Sequence, residues 1–189
     1  MNSAKLQKGD AGFTLAELMI VIAIMGIMAG IAIPMMLHYY PDYQARGAAR
    51  NLVANLQQAR LEAIRSNANV VIEITPGVFT TAGRVGSYRA YVDNGAGTVL
   101  GAGANDNIRD GTERILFTAP MPDRVSLTKL VGFIPAADPL APAGTKYTRF
   151  NSRGILPSVS DVGTITLGSE TMTFTVAVSN AGNIHLGVL

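Results

Sequence analysis

The sequence predicts an α+β fold, a helical N-terminal part followed by a head of antiparallel β-strands. Three observations carry this. Leu18 to Leu37 is a run of 20 consecutive residues with neither a charge nor an amide side chain. Ala45, Ala49, Leu52, Leu56, Ala59 and Ala63 then recur at alternating steps of four and three, one stripe along a helix. From Val70 the pattern changes to period two, with Gly, Pro, Asn and Asp punctuating short β-branched runs.

The first element is the apolar run. At about 1.5 Å per residue it reaches roughly 30 Å, the thickness of a hydrocarbon core. A run this long is hard to bury in a chain of 189 residues. A secretory signal peptide would have a shorter apolar region and an Ala-x-Ala-like site after it; here His38, Tyr39, Tyr40 and Pro41 follow. The expectation is a membrane-spanning helix. Lys5 and Lys8 precede it and Asp42 is the first charge after it, so the N-terminus is expected on the cytoplasmic side and residues 38 to 189 outside. Gly26 and Gly30 share a small-xxx-small spacing. This either admits a second backbone or reflects the commonness of glycine in spans. Pro34 removes an amide donor near the outer end and is a candidate helix kink.

Glu17 stands just inside the apolar helix. A helix N-terminus favours a carboxylate. An acid in a membrane segment also points to function, here a cation supplied by a neighbouring chain.

The stretch "KGDAGFTLAELMIVIAIMGIMAGIAIP" resembles the class III signal and first helix of type IV pilins and pseudopilins. The matching positions are Gly12, Phe13, Thr14, Leu15, Glu17 and Pro34. The resemblance implies that prepilin peptidase cuts between Gly12 and Phe13 and methylates the new Phe13 amine. It also implies that Glu17 and the Phe13 amine of a neighbouring subunit pair during fibre assembly. Loss of residues 1–12 would remove Lys5, Lys8 and Asp10, leaving 13 basic and 12 acidic side chains.

The second element is the amphipathic helix, with Arg46, Arg50, Arg60 and Glu62 off its apolar stripe and Gly47 as its weak point. It is expected to stop at Asn67 to Asn69. The arginines, with Arg65, read as a solvated face with ordinary pairs such as Arg60 or Arg65 near Glu62, rather than as a ridge for phosphate groups. Together the two helical segments resemble one long pilin helix packed on an antiparallel β-sheet head.

The head follows. Strands are expected at 70–75, 87–93, near Thr98 to Leu100, 114–119, 125–134, 163–168 and 171–179. A turn at Asn180 to Gly182 leads into a last strand. Residues 94–113, rich in Gly, Asn and Asp, read as a long exposed connection, and 135–144 as a loop. Three blocks resemble the GspH/FimT group of minor pseudopilins and minor pilins. They are "NLVANLQQARLEAIRSNANVVIEI" with its Ala-Arg-x-x-Ala-Ile-x-x-Asn pattern, "RFNSRGILP", and "VAVSNAGNIHL". That group often places Arg where this chain has Asn183.

The sequence gives no case for chemistry. There is no cysteine, and the two histidines, His38 and His185, are far apart. No nucleophile elbow or phosphate loop frames a serine, so no catalytic residue, cofactor or metal is expected. Asp93, Asn94, Asp106, Asn107 and Asp110 carry oxygen ligands, but their spacing matches no calcium loop. The net charge of +2, with no basic side chain after Arg153 except His185, weighs against nucleic acid.

The expected organisation is 1–12 as a cleaved leader, 13–37 as the transmembrane assembly helix, 38–68 as the amphipathic helix and 69–189 as the β-rich head. What the resemblance implies is a minor pseudopilin of type II secretion. The alternative is a minor type IV pilin that primes pilus assembly or takes part in DNA uptake; a major pilin and a signal-anchored enzyme are further rivals. The expected place is the inner membrane, single-pass, with the head outside the cytoplasm. The implied partners are prepilin peptidase, other pilins or pseudopilins and the inner-membrane assembly platform.

Overall fold

A computed structural model of the chain describes residues 12–77, 86–94, 107, 109, 113–136, 141–158 and 162–189. Lys5, Lys8, Asp10, Asp106, Asp110 and the strand expected near Thr98 to Leu100 lie outside the described residues. The chain divides into two units, Met1–Tyr39 and Tyr40–Leu189.

Helix α1 spans Leu15–Ser66 and includes Pro34. In the first unit its side chains from Leu15 to Tyr39 are all exposed. In the second unit Ala45, Ala48, Ala49, Leu52, Leu56, Ala59 and Ala63 are buried, so the expected stripe is the buried face with Ala48 added. Alanine on this stripe lets the sheets approach the helix axis closely. The helix ends where Asn67 turns to φ 50° and the Ala68 amide donates to the Ala63 carbonyl at 3.3 Å. That is the Schellman arrangement, with Asn in the left-handed position usually given to glycine.

Among the described residues nine strands follow: β1 Asn69–Thr75, β2 Ser87–Asp93, β3 Ile115–Pro120, β4 Ser126–Val131, β5 Ile134–Pro135, β6 Lys146–Phe150, β7 Gly163–Gly168, β8 Thr173–Val178 and β9 Ile184–Val188. They form two antiparallel sheets, one ordered β3-β2-β1-β6-β5 and one ordered β4-β7-β8-β9. Val70, Ile72, Ile74, Tyr88, Ala90 and Phe150 of the first sheet share one core with Ile165, Leu167, Phe174, Val176 and Val178 of the second and with the helix stripe. Alternation makes this possible, because every second residue of each strand points to the core.

The single strand expected over 125–134 is two strands in different sheets. The break is Gly132, at φ 86°, where a Cβ would lie 2.4 Å from the Val162 carbonyl oxygen. A β-pattern continuous in sequence is interrupted there by one left-handed residue that only glycine adopts cheaply.

The other face of the five-stranded sheet is also covered. Val71, Tyr91 and Tyr147 are buried there, with Ile134 and Ala136 packed on them. Glu73 and Arg89 stand directly opposite on β1 and β2 and form an ion pair in which Glu73 is buried and Arg89 half-buried. Asn107, which lies in the stretch expected to be an exposed connection, is bonded to the sheet. Its amide donates to Asp93 Oδ2 at 2.9 Å, its carbonyl accepts from the Tyr91 hydroxyl at 3.0 Å, and its Oδ1 accepts from Arg149 at 2.7 Å. Asp93 and Glu113, at the two ends of this connection, are buried.

Candidate assembly site

At the start of α1, Thr14 and Glu17 form a capping box. The Glu17 amide donates to Thr14 Oγ1 at 3.2 Å, and Glu17 Oε2 accepts from the Thr14 amide at 2.9 Å. The Thr14 hydroxyl adds a bond to the same Oε2 at 3.0 Å. Two amides that the first helical turn leaves orphaned are satisfied reciprocally. The signal was present in the sequence as Thr-x-x-Glu, but only the geometry shows that Glu17 has a partner within its own chain. Both bonds that the Glu17 carboxylate accepts fall on Oε2, which leaves Oε1 for a second partner.

Gly12 and Phe13 are exposed beside the cap, Phe13 at 88%. Among the described residues nothing lies within 4 Å of where a Gly12 side chain would start. Gly26 and Gly30 also face open space. The described helix is long and apolar enough to cross a membrane.

In the second unit two clasps tie the head to the helix. Asp42 accepts hydrogen bonds from the hydroxyls of Ser169 and Thr171 in the β7–β8 turn. These hold its carboxyl below the usual range, the Ser169 bond first and Thr171 next, with Arg46 adding a smaller effect. Farther along, Arg60 donates to the Gly182 carbonyl at 2.9 Å and the Ala181 carbonyl at 3.3 Å. Gly182 (φ 76°) and Gly154 (φ 70°) meet at this point. A Cβ on Gly182 would be 2.3 Å from the Gly154 carbonyl oxygen, and one on Gly154 would be 2.6 Å from Ile64.

This junction explains the helix-end pattern. Ala59 and Ala63 face the core, Arg60 and Ile64 seat the two glycine turns, and Asn67 closes the helix. Arg60 is therefore a structural clamp, and Glu62 pairs with Arg114 rather than with Arg60 or Arg65. Arg46, Arg50 and Arg65 remain exposed. Asn183 is held in the β8–β9 turn, its amide donating to Ser179 Oγ at 3.1 Å.

No group of His, Asp and Glu among the described residues is placed to hold a metal ion. Asp93 and Asn107 do come together, but through the hydrogen bond between them. A groove of about 350 Å³ beside α1 is lined by Ala48, Asn51, Asn55, Tyr88 and Met121, with no charged side chain. In it the Tyr88 hydroxyl accepts from Asn55 at 2.8 Å, and burial raises the Tyr88 pKa.

Comparison with known families matches residues 48–182 to the one described as Type II transport protein GspH. The chain belongs to the GspH family. The matched stretch takes in Arg60, Gly154 and Gly182, the members of the glycine junction. Residues 7–33 match the prokaryotic N-terminal methylation motif, which contains Gly12, Phe13, Thr14 and Glu17. Among curated relatives, the pilin-like protein PilA1 of Thermus thermophilus is 41% identical over 86 residues, 45% of this chain and 49% of that one. A fimbrial protein of Pseudomonas aeruginosa is 44% identical over 72 residues, 36% of this chain and 44% of that one. This GspH chain thus spans about half the length of the curated relatives it matches. Of solved structures, the Pseudomonas aeruginosa type IV minor pilin FimU aligns with a TM-score of 0.45 at 17% identity, covering 77% of this chain and 89% of that one. The Vibrio cholerae minor pseudopilin EpsH aligns with a TM-score of 0.45 at 13% identity, covering 77% and 97%.

Proposed function

We propose that this GspH-family chain is a minor pseudopilin, a structural subunit of the type II secretion pseudopilus with no catalytic role. Prepilin peptidase cuts between Gly12 and Phe13 and methylates the Phe13 amine. The subunit waits in the inner membrane by its single span, head outside the cytoplasm, and is drawn into the fibre by the assembly platform. The observation that carries this reading is the presence in one chain of a methylation motif on the apolar helix and a GspH head behind it.

The capping box supports the assembly step. The Thr14 amide belongs to the Phe13–Thr14 peptide, so cleavage before Phe13 leaves the cap intact. Glu17 then keeps Oε2 on Thr14 and offers Oε1 to the Phe13 amine of a neighbour. Between packed helices the pair is shielded from water, and removing one partner leaves an uncompensated charge.

The test of processing is the mass of the N-terminus after expression with and without prepilin peptidase. A mature chain that starts at methylated Phe13 only when the peptidase is present is the expected result. An intact leader beside an active peptidase overturns the reading. A second reading is a minor type IV pilin, favoured by the names of the pilin-like and fimbrial relatives. Deleting the gene separates the two: lost secretion with normal pili supports the pseudopilin, and lost pili with normal secretion supports the pilin.

A further inference from the structure

One end of the four-stranded sheet is tied close to the membrane by connectivity alone. Asp42 follows Leu37, the last residue of the apolar run, by five residues. That tether is about 8 Å as helix and at most about 18 Å fully extended. The headgroup layer is roughly 5–7 Å deep on each side of the hydrocarbon. Asp42 in turn holds the β7–β8 turn through the hydroxyls of Ser169 and Thr171. Tyr40 and Tyr43, on either side of Asp42, are exposed. Rings with a polar tip settle at a membrane–water interface.

A groove of about 240 Å³ opens beside this turn. It is lined by Ser169 and Glu170 of the turn, Thr128 of β4, Thr173 of β8 and Arg124 just before β4. Arg124 and Glu170 are exposed, and neither forms an ion pair with the other or with any described residue. Arg124 has φ 64°, and the Val125 amide donates to the Pro122 carbonyl at 3.2 Å. This is a tight turn whose third residue is left-handed, the position that a type II turn gives to glycine. Such strain gathers where a side chain is used. Here it puts an arginine, in place of a glycine, on a groove that also holds a carboxylate and threonine hydroxyls.

We infer that this groove holds the headgroup of phosphatidylethanolamine from the leaflet on the head's side, an inference that rests on the membrane-span reading. The Arg124 guanidinium takes the phosphate by charge-assisted hydrogen bonds, and the hydroxyls of Thr128 and Thr173 are further donors. The Glu170 carboxylate accepts from the primary ammonium. One cation and one anion in a single groove match a zwitterion. A phosphatidylglycerol headgroup brings only negative charge to Glu170, and a choline headgroup has no N–H to give it. The bound lipid fixes this end of the head against the membrane while the subunit waits there.

The full-length chain in detergent is titrated with phosphatidylethanolamine, phosphatidylcholine or phosphatidylglycerol, and lipid-bound species are counted by native mass spectrometry. Phosphatidylethanolamine should bind about tenfold more tightly than the other two. R124G removes the guanidinium and suits the left-handed backbone, so the preference should vanish with a melting temperature at or above the parent's. E170Q should bring phosphatidylglycerol level with phosphatidylethanolamine. Equal binding of the three lipids by the parent overturns the inference, as does a preference that survives in R124G or E170Q. So does O-phosphoethanolamine in solution binding as tightly as the lipid, which would make the ligand a free small molecule. The span is read separately, from recovery of the parent chain in the membrane fraction. Loss there refutes the membrane reading, whereas a membrane-bound chain without lipid preference refutes the groove alone.

Discussion

Glu17→Gln separates the two tasks of the carboxylate. Gln at this position still accepts from the Thr14 amide, so the capping box survives. What disappears is the negative charge offered to a neighbour's amine. Losing one partner of a shielded ion pair costs about 3–5 kcal/mol, which lowers incorporation roughly a hundred- to several-thousand-fold. Thr14→Ala does the reverse: it keeps the charge and removes the cap, costing about 1 kcal/mol, or roughly fivefold. The assay is competition. Tagged variant and untagged parent are co-expressed, fibres are sheared, and the variant-to-parent ratio in fibre and membrane is measured by mass spectrometry. Both variants should be cleaved and methylated normally. If Glu17→Gln enters fibres as well as the parent while Thr14→Ala does not, Glu17 serves its own helix and the pairing argument fails.

Other substitutions probe the head. Gly182→Ala forces a Cβ to within 2.3 Å of a backbone oxygen at φ 76° and should cost about 2–4 kcal/mol, counting left-handed strain and the disturbed Arg60 bond. Arg60→Ala should cost about 1.5 kcal/mol alone and be less than additive with Gly182→Ala in denaturant melts; additivity would show that the two do not share one junction. Arg89→Ala leaves Glu73 buried opposite an apolar residue and should destabilise by about 3 kcal/mol, with Glu73→Gln on top restoring part of the loss. Asp42 has a lowered folded pKa, so its contribution is present above its unfolded pKa of about 3.9 and fades as pH falls through the lower folded value. Asp42→Asn should flatten that part of the acid limb in urea titrations between neutral and acid pH, and an unchanged limb would remove Asp42 from the account.

Local chemistry was legible without coordinates wherever it depends on a repeat or a neighbour in sequence. The apolar run, the stripe from Ala45 to Ala63, the strands at 70–75, 87–93 and 163–168, and the stop at Asn67 are of this kind. Each is set by side chains a few residues apart, and backbone geometry turns that spacing directly into a face or an end. The Thr14–Glu17 cap belongs with them, since its signature is four residues long.

Tertiary structure decided what distant segments do to one another. Arg60 looks like any surface arginine until the turn at Gly182, more than a hundred residues later, brings two carbonyls to it. Glu62 chooses Arg114 over its helical neighbours for the same reason. The Gly, Asn and Asp after β2 read as solvated loop, yet Asn107 is held on the sheet by hydrogen bonds with Asp93, Tyr91 and Arg149. The strand expected over 125–134 changes sheets at Gly132, and no periodicity marks a change of sheet. Sequence spacing fixes which way a side chain points along its own element. What it meets there depends on where the rest of the chain folds, and only packing and hydrogen-bond satisfaction over the whole head settle that.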